Sequence, residues 1–269
     1  MMELLGVAAI MLATGCVAGI IAGLLGVGGG IVIVPVLFEV LPWLGVPDEL
    51  RMHIAVGTSL AIIIPTSFNS ARSHYAKGAV DTGILKSLGP AVFLGVLVGL
   101  VFTGRVRGEI LTAIFATIAL LVAAQMLLLP KGAALAKQMP GTAGTGALGL
   151  FIGWVSVCMG IGGGTVGVPL MTLFSVPIHN AVATASVLGL IIGIPGLIGF
   201  IINGWGATTL SAGYLGYVHL LGAILIAPVS TMLAPYGAKI AHSLSPRALK
   251  ICFGVFLLIT AVRMYRTLL

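Results

Sequence analysis

Two runs of three consecutive glycines, Gly28, Gly29, Gly30 and Gly162, Gly163, Gly164, are where this chain is best equipped for chemistry. Each opens an apolar stretch: Gly26-Val-Gly-Gly-Gly-Ile-Val-Ile-Val-Pro-Val-Leu37 in the first half, Gly160-Ile-Gly-Gly-Gly-Thr-Val-Gly-Val-Pro-Leu-Met171 in the second. Seven of the twelve positions are identical at a constant offset of 134 residues. A glycine inside a helix costs about 1 kcal/mol relative to alanine, so three together unwind it readily. Unwound backbone in hydrocarbon is tolerated only where it lines a cavity or is buried in protein. The helical pieces that resume at Ile31 and Thr165 begin with N–H groups that no preceding turn satisfies. Such a terminus carries roughly half a positive charge. That arrangement holds an anion without a cationic side chain. Pro35 and Pro169 fall in the second turn of each piece and keep it distinct from what precedes. The competing reading of the glycines is close helix packing, as in GxxxG contacts.

Hydroxyls could complete such a site, and Thr58, Ser59, Thr165, Thr184 and Ser186 lie in or near the repeated motifs. Their alternative use is to bond back to their own helix backbone. Formal charge is scarce. No Asp, Glu, Lys or Arg occurs between Lys137 and Lys239, and all six acids lie at or before Glu109. Ionisable groups inside a membrane mark ion pathways, and the second half offers no carboxylate for a cation. Glu39 is the acid placed nearest the interior; it either couples protons or sits at the interface beside Pro42 and Trp43. Arg72 and His74 follow a long apolar segment and either draw anions to a pathway mouth or set topology. Cys158 precedes the second motif and offers a thiol for sulfur transfer, against the plainer role of a buried small hydrophobe. No paired carboxylates, nucleophile–base spacing or metal-ligand cluster points to an enzyme, a metal or another cofactor.

The elements that must position these residues follow from composition. The chain is 59% hydrophobic and 7% charged, with a mean hydropathy of +1.22. A soluble domain carries about 25% charged residues, so the solvent here is lipid. Eight apolar segments approach the roughly 20 residues a crossing needs: about 4–26, 52–71, 84–103, 109–129, 143–160, 181–202, 215–235 and 248–265. Two short pieces, 31–41 and 165–174, follow the glycines. The expectation is an all-α polytopic membrane protein; a β-barrel would alternate apolar and polar residues. It divides into a first repeat (1–130), a linker (131–142) and a second repeat (143–269), each repeat holding one glycine-rich discontinuous helix. Met1-Met2-Glu3 lacks the basic start of a cleaved signal, so the first segment is expected to remain as a helix. The net charge of +7 comes from bases scattered singly along loops, which suits anionic lipid rather than nucleic acid. If each glycine region makes an even number of crossings, eight bases share one face and five the other. The halves are then inverted relative to each other, with both termini outside. With one crossing each, the tally is seven against six.

The motifs resemble those of the TauE/SafE family of membrane transporters, the sulfite or organosulfonate exporters. The resemblance covers the whole chain. It is carried by Gly23-Leu-Leu-Gly-Val-Gly-Gly-Gly30 with Pro35, Ala55-Val-Gly-Thr-Ser59, His74-Tyr-Ala-Lys-Gly78, and Gly160-Ile-Gly-Gly-Gly164 with Pro169. The second half departs from it at Ala183-Thr-Ala-Ser186, which leaves Thr58 without an equivalent hydroxyl. The resemblance implies export of sulfite, sulfonates or related anions across a prokaryotic cytoplasmic (inner) membrane. Partners are then the small anion and the lipid bilayer, with the oligomeric state open. A passive anion channel and a sulfur-transfer protein using Cys158 are the alternatives.

Overall fold

The computed structural model describes residues 2–25, 29–128, 136, 138–207, 213–243 and 246–268. The first half contributes α1 (Met2–Leu25), α2 (Gly30–Val40), α3 (Asp48–Ala76), α4 (Thr82–Thr103) and α5 (Gly108–Leu128). The second contributes α6 (Thr142–Met159), α7 (Gly163–Leu173), α8 (Ile178–Asn203), α9 (Leu220–Ser243) and α10 (Pro246–Arg266). Among the described residues, α3, α4, α5, α6 and α8 are long and apolar enough to cross a membrane. The protein is an all-α multi-pass membrane protein. The two 11-residue helices follow the glycine runs. At 1.5 Å per residue each is only about 16 Å long.

One expected segment is corrected. Residues 215–219 do not belong to a helix. A two-stranded antiparallel hairpin, β1 (Tyr214–Leu215) and β2 (Val218–His219), pairs Tyr214 with His219 and Leu215 with Val218. Gly213 and Gly216 have φ of 110° and 55°, which suit glycine and break a helix, so α9 starts only at Leu220.

Close contacts at glycines fix the helix directions. Along α3 and α8, Gly57 meets Phe200, Leu60 meets Gly196, Ile64 meets Gly193 and Ser67 meets Gly189, so the two run antiparallel. In α5 and α10, Leu127 meets Gly254 and the Thr117 and Tyr265 hydroxyls lie 2.6 Å apart, again antiparallel. By contrast α1 runs parallel to α9, with Gly15 against Ile226 and Gly19 against Ser230. α4 runs parallel to α6, with Gly149 against Leu88 and Gly153 against Val92 and Val96. Call the end where α3 begins the lower end and the end where it finishes the upper end. The pair α1–α2 then enters from and returns to the lower end, and α6–α7 enters from and returns to the upper end. The tips of the two pairs meet: a Cβ on Gly30 would lie 2.7 Å from the Gly160 carbonyl oxygen and 2.9 Å from Ile161 Cα. Nine of the eleven residues of α2 are buried, so this helix has no polar face and forms the centre of the bundle.

Candidate functional site

The site is built from the turn that ends α6. Gly160 takes φ 63°, and Ile161 N–H bonds back to the Ser156 carbonyl (3.0 Å), a glycine C-cap. Ser59 Oγ, from α3, donates to the Gly160 carbonyl at 2.7 Å and pins this turn from the other half of the chain. Gly162 then leads into α7, whose N-terminus has no side-chain cap. Gly163 sits against α8 so closely that a Cβ would fall 2.7 Å from Leu188 Cβ and 2.9 Å from the Ala185 carbonyl oxygen. Without side chains, the first turn of α7 approaches α8 and leaves a cavity of about 90 Å³ at its N-terminus.

Gly162, Gly163 and Gly164 form one wall; Thr66, Ser67 and Ser70 of α3 form another; Ser186, with Val182 and Ala185, comes from α8. No lining residue carries a charge. Thr66 Oγ1 donates to the Ile63 carbonyl (2.8 Å) and Ser186 Oγ to the Ala183 carbonyl (2.6 Å), so both present lone pairs. Among the described residues, the Ser67 and Ser70 hydroxyls have no hydrogen-bond partner and remain available to donate. Ser67 lies nine residues before the end of α3 and Ala185 seven after the start of α8. The cavity is therefore about 10–14 Å in from the upper end.

Of the residues expected at a site, the cavity gathers Gly162, Gly163, Gly164 and Ser186. Gly28 lies outside the described residues. Gly29 (φ 51°), Gly30 and Ile31 start α2, where Gly30 and Ile31 are buried in protein contact. Thr165 is buried in the first turn of α7. Ser59 holds the Gly160 turn. Thr58 Oγ1 accepts from His219 N–H at 3.0 Å, and Thr184 Oγ1 accepts from Asp81 N–H at 3.1 Å. Arg72 and His74 occupy the last turns of α3 at the upper end, Arg72 exposed and His74 partly so. Glu39 pairs with Arg263 at the lower end, Oε2 to Nη2 2.7 Å. Cys158 is fully buried in α6 and does not line the cavity. Sequence reasoning passed over Thr66, Ser67 and Ser70. Their signal was Pro65-Thr-Ser-Phe-Asn-Ser70, a polar run after a helix-breaking proline in an otherwise apolar segment.

Similarity to known proteins agrees with this architecture. The family model described as "Sulfite exporter TauE/SafE" matches residues 11–264. A "Probable membrane transporter protein" of Haemophilus influenzae is 35% identical over 94% of this chain and 96% of its own length. "Probable membrane transporter protein MJ0441" of Methanocaldococcus jannaschii is 27% identical over 92% of this chain and 91% of its own. YunE of Bacillus subtilis, described in the same words, is 25% identical over 93% and 94%. No solved structure matches the chain. With a family match over nearly its whole length and a multi-pass helical fold, the chain belongs to the sulfite exporter TauE/SafE family and is a membrane transporter.

Proposed function

We propose that the protein is a secondary transporter, working as an exporter, of small sulfur-containing anions such as sulfite or organosulfonates. The anion is held at the α7 terminus, between the two halves. One observation carries this reading: an uncharged cavity in which an uncapped helix N-terminus faces two unpartnered serines. N–H and O–H donors match the lone pairs of an oxyanion, and the helix terminus supplies partial positive charge. With no lysine or arginine in the lining, the anion is bound without a full ion pair and leaves readily.

The two halves act as inverted repeats in this reading. Equivalent helices, α3 with α8 and α5 with α10, run antiparallel, while α1 and α6 each lie parallel to the fourth helix of the opposite half. Discontinuous helices meeting at such a repeat interface are the usual setting for alternating access. With α1–α2 and α6–α7 each returning to its own end, the even-crossing count read from the sequence applies, eight bases against five, and the larger group includes Arg72, Lys77 and Lys86 of the upper end. The upper end is then cytoplasmic, both termini are outside, and the membrane is a prokaryotic inner membrane.

A thermal-shift titration of purified protein with sulfite, sulfate, thiosulfate, taurine, sulfoacetate and chloride tests the site. One sulfur oxyanion or sulfonate is expected to raise the melting temperature, and the double variant Ser67→Ala/Ser70→Ala to abolish that rise. No shift with any anion rejects the reading. In proteoliposomes, saturation with counterflow identifies a carrier, whereas linear flux without counterflow identifies a passive channel.

A further inference from the structure

The two ends of the bundle are tied by matching hydrogen bonds that differ in one side chain. At the upper end, Asp81 precedes α4. Its N–H bonds to Thr184 Oγ1 on α8 (3.1 Å), and its carboxylate accepts from Ile84 N–H (2.9 Å). At the lower end, His219 precedes α9. Its N–H bonds to Thr58 Oγ1 on α3 (3.0 Å), and its Nδ1 accepts from Gly222 N–H (2.9 Å). Each clasp therefore ties the start of the fourth helix of one half to the third helix of the other. A carboxyl group can accept the capping bond whether or not it carries a proton. An imidazole Nδ1 can accept only while it carries none.

We propose that His219 is a proton-binding site that locks the lower end: neutral, it holds the clasp shut, and protonated, it loses the cap and lets residues 213–219 lift from α3. The surroundings leave an imidazolium without compensation. His219 is 6% exposed. The Tyr214 ring lies 4.7 Å away, and the ring of Tyr217, the second residue before His219, lies 4.9 Å from that of His53. Among the described residues, Tyr214 is the titratable group whose ring touches it. The helices that contact β2 are α3, α8 and α9; their stretches 52–63, 197–203 and 220–238 contain no Asp, Glu, Lys or Arg, and the charged residues of α3 on this side are Asp48, Glu49 and Arg51 at its start. Burial holds the imidazole below its ordinary pKa of 6.5. The closed clasp therefore prefers neutral His219. It is intact above about pH 6.5, and closure is lost as pH falls from there toward the lowered value, by up to about tenfold per pH unit.

Hydrogen–deuterium exchange of the full-length protein, corrected for intrinsic rates, reads this without knowledge of the transported anion. Its failure would leave the anion site untouched. At pH 5.0, residues 213–222 are expected to exchange several-fold faster than at pH 7.5, while residues 81–84 keep their protection. His219→Asn, whose amide oxygen can accept the Gly222 bond without titrating, is expected to remove the pH response. Thr58→Val is expected to expose the hairpin at both pH values. Equal protection of the wild-type hairpin at both pH values overturns the proposal. So does a His219→Asn protein that keeps the wild-type response, or a Thr58→Val hairpin as protected as wild type.

Discussion

Among the described residues, the Ser67 and Ser70 hydroxyls carry no hydrogen bond, unlike three of the hydroxyls singled out from the repeat. Thr58, Ser59 and Thr184 are spent on holding backbone. A hydrogen bond to a charged partner contributes about 1.5–3 kcal/mol. Either Ser67→Ala or Ser70→Ala should therefore weaken anion binding by at least about tenfold. Equilibrium binding of the identified anion checks this, and the melting temperature without anion should stay within about 1 °C. This part of the site was only half legible in the sequence. The repeat drew attention to hydroxyls that occur in both halves; of these Ser186 lines the cavity, while Thr58, Ser59 and Thr184 hold backbone. The α3 hydroxyls that face the cavity occur in one half only: the positions equivalent to Thr66, Ser67 and Ser70, taking Ser59 with Ser186, are Gly193, Ile194 and Leu197.

The α6–α7 turn is the element on which the site depends. Ser59→Ala removes the 2.7 Å bond to Gly160 and leaves a buried carbonyl unsatisfied, at a cost of about 1–3 kcal/mol. A lowered melting temperature together with weaker anion binding is the expected result. Gly163→Val places atoms where Leu188 and Ala185 already stand. Overpacking of this kind costs about 1–3 kcal/mol; transport in proteoliposomes should be lost while membrane insertion, followed by quantitative blotting, persists. The discontinuous helices were legible because glycine triplets have few uses in hydrocarbon: pieces expected at 31–41 and 165–174 are found at Gly30–Val40 and Gly163–Leu173. The β1–β2 hairpin was not. Tyr214-Leu-Gly-Tyr-Val-His219 is apolar enough to extend the helix pattern and too short to show alternation, and only the φ of Gly213 and Gly216 sets it apart.

At the scale of the molecule, the helix directions place both termini at the same end. Tags at either terminus should be reachable by a membrane-impermeant reagent added outside the cell, whereas a cysteine at Lys77 should not. Opposite labelling of the two termini would reject the topology. Glu39 and Arg263 form a half-exposed pair at that end, with side chains 40% and 62% accessible. Such pairs contribute about 0–1 kcal/mol. Glu39→Gln should leave both the melting temperature and the pH profile of uptake nearly unchanged; a flattened profile would make Glu39 the coupling acid instead. The unequal halves have a kinetic meaning as well. In the mirrored conformation, the terminus of α2 would face Gly193, Ile194 and Leu197, with Ser59 as the mate of Ser186 and no pair of free serines. The carrier would then saturate at a low concentration on one side of the membrane and a high one on the other. That asymmetry would leave the direction of net flux to the gradient, but with the proposed orientation it would set how full the carrier runs on each face: loaded readily from the cytoplasm, emptied readily outside, and slow to take back what it has released.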